Sequence, residues 1–513
     1  MKIFKLNPKI IVNAIVFTAG FSTSSVYAYN LMQVYYQALQ CDPIYAQAVS
    51  TWHSQKMLIP IAEAGYLPQV SIASNATREY SHTSPNASTT NTSSYSWQYG
   101  YALSASQAIF NGVVWAQIKG ADATVKAATA TYLSAQQSLM QRTATAYFAV
   151  LLAYDQLRFA IADKRETWRL YIHSNEQFHA GIISITDAND DLASYEQAVT
   201  EQVAAENNLN SQIENLSALT GRNYYLLNGL GKHLPLISPK PVNINQWVSV
   251  AIKQNYGLIA QNYNVLAAME FIKQEAAGGY PTLSFQGGVG ESHTAYNPPD
   301  TATDTASFGL NLAYAPIQGG LVEADTEQAR YNYVTASGLL EQTYRTVVNQ
   351  TRSGFLGVLA NITQIKADKK NIIASRAALH STEGGYKAGT RTMLDILTQL
   401  TKLYQAKEQY ATDEYAYINN IIALKDAAGT LSVVDLKEIN AWLGKSVEFP
   451  DRMIVAKMPT PHDHSKIKMK IESHPVKNIT VKVSPEIKKS DAKAVIPSPE
   501  KTQSPNIQLP KPE

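Results

Sequence analysis

Few residues in this chain could do covalent chemistry. Cys41 is the only cysteine among 513 residues, which excludes a disulfide framework and a multi-cysteine metal site. No GxSxG, HExxH or P-loop signature occurs, and Gly287-Gly288-Val289-Gly290 reads as a glycine-rich strand rather than a phosphate loop. His462-Asp463-His464 could touch a metal, but without further ligands it reads as solvated polar chain. No catalytic, cofactor-binding or metal-binding residue is assigned. What stands out is a pair of polar quartets, Ser184-Ile-Thr-Asp187 and Thr392-Met-Leu-Asp395, each a few residues after an Ala-Gly pair, Ala180-Gly181 and Ala388-Gly389. Ala-Gly marks a helix end with glycine at C′. The quartets fit a capping box with Asp in place of Glu or Gln. Tyr386 and Arg391 flank the second quartet, and the cap needs neither of them.

Two quartets in the same setting point to a repeat. Gly112 pairs with Gly320, Val150 with Val358, Gly181 with Gly389, Asp187 with Asp395 and Gly221 with Gly429, each at an offset of 208. Upstream, Tyr66-Leu67-Pro68 matches Tyr280-Pro281 at an offset of 214, and the difference falls in the polar segment His82 to Ser94, read as a loop. One supersecondary block is used twice. Each block opens with helical stretches (31–64 and 247–277). Paired strands and a tight turn follow, Phe110-Asn111-Gly112 or Gln318-Gly319-Gly320. Then comes a helix of great length. Val113 to Phe178 holds no proline, and Leu133, Met140, Tyr147, Tyr154 and Ile161 recur every seven residues, the mark of helices packed at shallow angles. A second helix returns to Gly221 or Gly429.

The strands alternate strictly. Trp97, Tyr99, Tyr101 and Leu103 share one face, with Gln98, Gly100, Ala102 and Ser104 on the other. Phe308, Leu310, Leu312 and Tyr314 repeat the pattern against Ser307, Gly309, Asn311 and Ala313. Such strands meet different surroundings on their two faces. A soluble sandwich edge and a transmembrane barrel strand both satisfy that pattern. The N-terminus and the tyrosine excess favour the barrel. Lys2, Lys5 and Lys9, an apolar run from Ile10 to Phe21, and Val26-Tyr27-Ala28 together read as a secretory signal peptide over 1–28. Tyr (30) outnumbers Phe (12) and Trp (6).

The net charge of +2 conceals a segregation. The leader contributes three lysines, and residues 451–513 carry 12 basic and 7 acidic residues, so the body between them is −6. That last segment holds nine of the 22 prolines, and its composition predicts a disordered tail. The near-neutral total excludes a strongly basic nucleic-acid binder. The blocks divide the chain into 1–28, 29–221, 222–246, 247–429, 430–450 and 451–513.

Over residues 31 to about 440 the chain resembles the TolC family of outer-membrane efflux and secretion channels. The carriers are Tyr66-Leu67-Pro68, Phe110-Asn111-Gly112, Pro316-Ile317-Gln318-Gly319-Gly320, the runs Phe178 to Asp187 and Tyr386 to Asp395, and Leu403-Tyr404-Gln-Ala406-Lys407. The resemblance implies an α+β homotrimer. Its twelve-stranded transmembrane β-barrel, four strands from each chain, continues into a periplasmic α-helical barrel. Residues 222–246 and 430–450 would join an equatorial belt. It also implies a passive exit duct in the outer membrane of a Gram-negative bacterium. Such a duct docks to a periplasmic adaptor and an inner-membrane pump of RND or ABC type, and it binds no cofactor and no nucleic acid.

Residue roles follow the same resemblance. Thr186, Asp187, Tyr386 and Arg391 match a latch between neighbouring hairpins; Asp187 and Asp395 can equally be local caps, and the two roles can coexist. Asp395 matches an acidic ring in the pore, where crowded carboxylates would raise one another's pKa. The family's second ring is Thr398 here. Asp190, its mate at the 208 offset, either restores the acidity or is a solvated helix residue. Glu414 stands where an arginine braces the tip of familiar members. Gly181 and Gly389 mark the hairpin tips that meet the adaptor. Trp97, Tyr99, Tyr101, Phe308 and Tyr314 face lipid. A coiled-coil adhesin would lack paired strands, and a porin would show many alternating segments rather than four.

Overall fold

The computed structural model describes residues 28–83, 92–231, 234–295 and 301–449. The signal-peptide and tail readings lie outside the described residues, apart from Ala28. Helices α1 (Leu31–Cys41), α2 (Pro43–Lys56) and α3 (Leu58–Glu63) lead into strands β1 (Gln69–Thr83) and β2 (Thr92–Phe110). Two long helices follow, α4 (Gly112–His179) and α5 (Ile185–Thr220), then β3 (Leu226–Leu230). The series then recurs: α6 (Ile244–Gln254), α7 (Tyr256–Ala276), β4 (Thr282–Ala295), β5 (Thr301–Ala313), α8 (Leu321–Lys387) and α9 (Met393–Ala427). The described chain closes with α10 (Val433–Asn440) and β6 (Leu443–Glu448).

Local chemistry sets the boundaries. The segment expected as one helix from Leu31 to Ala64 is three. Asp42 accepts from the Tyr45 amide and Pro43 takes the first position of α2, because proline lacks the donor a continuing helix would need. Asn111 caps α4, its Oδ1 accepting from Val113 and Val114 at 3.1 and 3.3 Å. With no proline after this cap, α4 runs for 68 residues and α8 for 67, each about 100 Å long. No described helix is long and apolar enough to cross a membrane.

The strands form one antiparallel sheet in the order β1-β2-β4-β5. They are longer than the alternating cores read from sequence, because Ser- and Thr-rich ends extend the ladder with no apolar signal. Val70, Ile72, Leu103, Leu283, Phe285, Val289, Phe308, Leu310 and Leu312 fall on one face by register. Its apolar part, from the Leu283–Leu312 pair to Val289, spans about 20 Å. Trp97, Tyr99, Tyr101, Glu291 and His293 continue the same face towards the hairpin tips, and Tyr99 stacks on His293 at 5.0 Å. The opposite face carries Gly100, Ser104, Gly288, Gly290, Gly309 and Asn311.

The core gathers around the middle of the long helices. Tyr147, Phe148 and Leu151 of α4 pack with Leu209, Ile213 and Leu216 of α5, and with Val358, Ile365, Tyr417 and Ile418 of α8 and α9. The heptad stripe rotates out of this core with distance: Met140 and Tyr147 are buried, Tyr154 is partly buried and Ile161 is exposed. A straight helix drifts from a seven-residue repeat by about 20° per heptad. The two inter-block segments meet here, as β3 pairs antiparallel with β6. Tyr147 fastens the join, its hydroxyl within 3.1 and 2.7 Å of the Tyr29 and Asn228 carbonyls.

Candidate functional site: the ends of the helical hairpins

α4 and α8 end in the same way. Gly181 and Gly389 have φ of +71° and +73°, a region costly to residues with a side chain. At each end, bonds such as Ile182 N–H to Gln177 and Thr390 N–H to Gly385, both 2.9 Å, use the last carbonyls. Neither glycine has a neighbour among the described residues that a Cβ would meet. Both return helices then start with a reciprocal capping box. Ser184 and Asp187 bond one another's amides, and Thr392 and Asp395 do the same at 2.9 and 3.2 Å.

The candidate latch residues gather at this end. The Tyr386 hydroxyl donates to Gln177 Oε1 at 2.9 Å, tying α8 to α4, and its ring lies edge-on to His173 at 6.4 Å. Within one chain, therefore, its acceptor is an amide rather than a carboxylate. Arg391 folds back over Gly385, where a Cβ would lie 2.8 Å from its Cγ. Its guanidinium stands 4.0 Å from Asp395, with both side chains well exposed, at 61% and 39%. A pair in water at that separation holds little by itself, which leaves the Arg391 donors free for another chain. Thr186, Asp187 and Asp190 are exposed on the first turns of α5. The bonds from Thr392 hold the Asp395 carboxyl below its ordinary pKa. Carboxylates crowding in a pore would push the other way, and that requires several chains.

Sequence reasoning missed a set of buried polar groups. Asp191 is buried beside Ser174, which donates a short hydrogen bond to it across α4 and α5. Burial raises its pKa, and Asp187 and Asp190 add to the rise. The signal was present: Ala188, Asp191 and Ala198 are the buried positions of one helical stripe. Farther from the tip, burial and Glu201 push Asp163 up to about 6, against the pull of Lys407. Glu414 lies near the core, accepts a short bond from Tyr410 and is raised by burial. Where an arginine brace was the family pattern, this chain thus has a tyrosine–carboxyl bond within α9. Thr398 donates to the Leu394 carbonyl at 2.8 Å and is exposed. No group of three or more His, Cys, Asp or Glu side chains could hold a metal among the described residues.

The chain thus joins a sheet with one apolar face, its two edges unpaired among the described strands, to helical hairpins with arms about 100 Å and 50 Å long. The chain belongs to the outer membrane efflux protein family, whose sequence model matches residues 34–222 and 247–430. It is 33% identical over 452 residues to outer membrane protein TolC of Escherichia coli strain K12, covering 86% of this chain and 90% of that protein. It is 24% identical to the alkaline protease secretion protein AprF of Pseudomonas aeruginosa, covering 81% and 87%. The fold is similar to the Campylobacter jejuni CmeC outer membrane channel, with a TM-score of 0.70 at 17% identity over 80% of this chain and 89% of that one. The protein is an outer-membrane channel of a Gram-negative cell that extends into the periplasm.

Proposed function

We propose that three copies of this chain close a twelve-stranded barrel and a helical duct, and that hairpin ends around Tyr386 and Arg391 form an iris-like gate. The duct carries efflux and type I secretion cargo outward, handed on by a periplasmic adaptor and an inner-membrane pump, which supplies the energy. The observation that carries this reading is the four-stranded sheet. Its edges β1 and β5 have no partner among the described strands, and an unpaired edge does not persist in hydrocarbon. Four strands are too few to close on themselves, so further copies must supply the neighbours. The apolar face, with Phe308 86% exposed, then meets lipid, and Trp97, Tyr99 and Tyr101 lie at its rim. Tyr314, just past β5, marks the opposite rim.

Two family matches of similar length and hairpins of 68 and 36 against 67 and 35 residues support a duplicated chain. The tips at Gly181 and Gly389 meet the adaptor. Asp395, with Asp190, lines the narrow acidic end. Threefold repetition brings the body to about −18 charges. The test is deletion of the gene, followed by drug susceptibility and analysis of secreted proteins. Lower tolerance to drugs or the loss of exported proteins is expected, and a strain unchanged in both respects removes the export role. A narrower prediction concerns Asp395. Asp395→Ala weakens block of the reconstituted pore by multivalent cations about tenfold or more, because converging carboxylates are what a cation binds. Block at the wild-type concentration would place the acidic ring elsewhere.

A further inference from the structure

We infer that Asp368 on α8 and Asp413 on α9 form a proton-binding site, in which one proton shared between two carboxyls clasps the second helical hairpin and its release loosens it. Both side chains are buried in the packed chain, at 5% and 8% exposure. The two carboxyls lie within hydrogen-bonding contact of each other. Each also receives a side-chain amide from one turn earlier: Gln364 donates to Asp368 at 3.3 Å, and Gln409 donates to Asp413 at 3.0 Å. The inner oxygen of Asp368 has no N–H or O–H donor. Two ionised carboxylates offer only acceptors, so such a contact holds only when one of them carries a proton.

No cation substitutes for that proton among the described residues. On α8, Lys369 lies over the Tyr410 ring at 5.6 Å and acts on Glu414. On α9, Tyr410 directs its hydroxyl to Glu414, and Lys407 lies nearer the tip, among Arg376, Arg158, Asp163 and Glu166. On α4, Asp155 is taken by the Tyr415 hydroxyl at 2.9 Å and by Arg158 at 3.1 Å. Asp163 answers to Glu201 of α5 and to Lys407. Burial first, and then Asp413, raises the Asp368 carboxyl to about 6. The folded chain therefore keeps a proton between about pH 4 and 6 that the unfolded chain has released. The hairpin loses stability as pH rises through that window. Asp368 lies 19 residues before the end of α8, and Asp413 lies 20 residues into α9. Both are about 30 Å from the tip, so the clasp controls the stretch of the hairpin between it and the tip. This follows from the packing of α8 on α9 and holds whatever the channel carries.

The experiment compares the full-length wild type with Asp368→Asn and Asp413→Asn in detergent. Thermal unfolding is followed between pH 4 and 7.5, together with the infrared band of protonated carboxyls. Asparagine supplies a fixed N–H where the acid supplies a titrating O–H. Relative to the variants, the wild-type unfolding constant rises roughly a hundredfold per site between pH 4 and 7. A protonated-carboxyl band present at pH 5 disappears by pH 7 in the wild type and is weaker throughout in each variant. Parallel pH profiles for all three proteins would overturn the site. So would stabilisation of the wild type alone by calcium or magnesium, because a cation would then take the place of the proton. If either variant fails to fold, the band is read in a chain carrying Asp163→Asn and Asp426→Asn, the other carboxyls that burial raises to about 6: a band that persists there at pH 5 and fades by pH 7 supports the site, and its loss overturns it.

Discussion

Replacing Tyr386 with Phe raises the resting conductance of the purified channel in planar bilayers and leaves its thermal stability nearly unchanged. The hydroxyl donates one neutral bond, to Gln177 of α4. A bond of this kind contributes about 1 kcal/mol net. In the proposed trimer, three such bonds lost together amount to about 3 kcal/mol in the opening equilibrium, or roughly a hundredfold in open population. Arg391→Ala separates two views of the tip. Within its own chain the guanidinium has only a solvated partner 4.0 Å away, so its removal there would change little. If it reaches across to the next hairpin, a charge-assisted bond of about 1.5–3 kcal/mol is lost at each of three interfaces. The conductance then rises further than in Tyr386→Phe. Wild-type conductance in both variants would remove the latch assignment from these residues.

The second large effect lies at the waist. Gly429→Ala disrupts the packing there, and little of the protein reaches the outer membrane. Gly429 has φ +70°, which costs an alanine about 1–2 kcal/mol. The added Cβ would lie 2.2 Å from the Gln254 carbonyl oxygen and 2.7 Å from the Asn255 nitrogen. These are backbone atoms at the junction of α6 and α7, fixed from both sides. Asn255 caps α7 and donates to the Ala427 carbonyl at 3.0 Å, while Gln137 of α4 holds the Gly429 and Leu431 carbonyls. Relief requires moving a helix junction, which brings the cost to about 4 kcal/mol or more. Gly181→Ala and Gly389→Ala are the controls. Their backbone angles are similar, but a Cβ meets nothing there, so both should assemble with a penalty of about 1 kcal/mol. Normal levels of folded Gly429→Ala protein in the outer membrane would refute the packing described at the waist.

What the residues disclosed in advance was local. The helix read as Val113 to Phe178 runs from Gly112 to His179, because an asparagine cap, a proline-free interior and a terminal Ala-Gly all act within a few residues. The capping boxes at Ser184 and Thr392 were visible for the same reason. The division at Pro43 had a readable signal in Asp42-Pro43 that the apolar pattern masked. The rest depended on distant partners. Gln177 and Tyr386 are 209 positions apart, and no periodicity in either helix announces that they meet. Asp368 and Asp413 each look like an ordinary surface carboxylate until α8 and α9 are laid side by side. The strand ends rich in Ser and Thr were invisible for a different reason. Their ladder is held by main-chain bonds that leave no hydrophobic trace.

The core grips α4 near its middle and leaves the rest of the rod projecting. Tyr147, at that grip, lies 32 residues before the end of the helix, a distance of about 50 Å. A helix this long behaves as a lever arm with its fulcrum at the waist. A tilt of about 5° at the waist carries the tip through about 4 Å, more than the length of a hydrogen bond. Side chains at the waist therefore need to repack by only fractions of an ångström to part Tyr386 from Gln177.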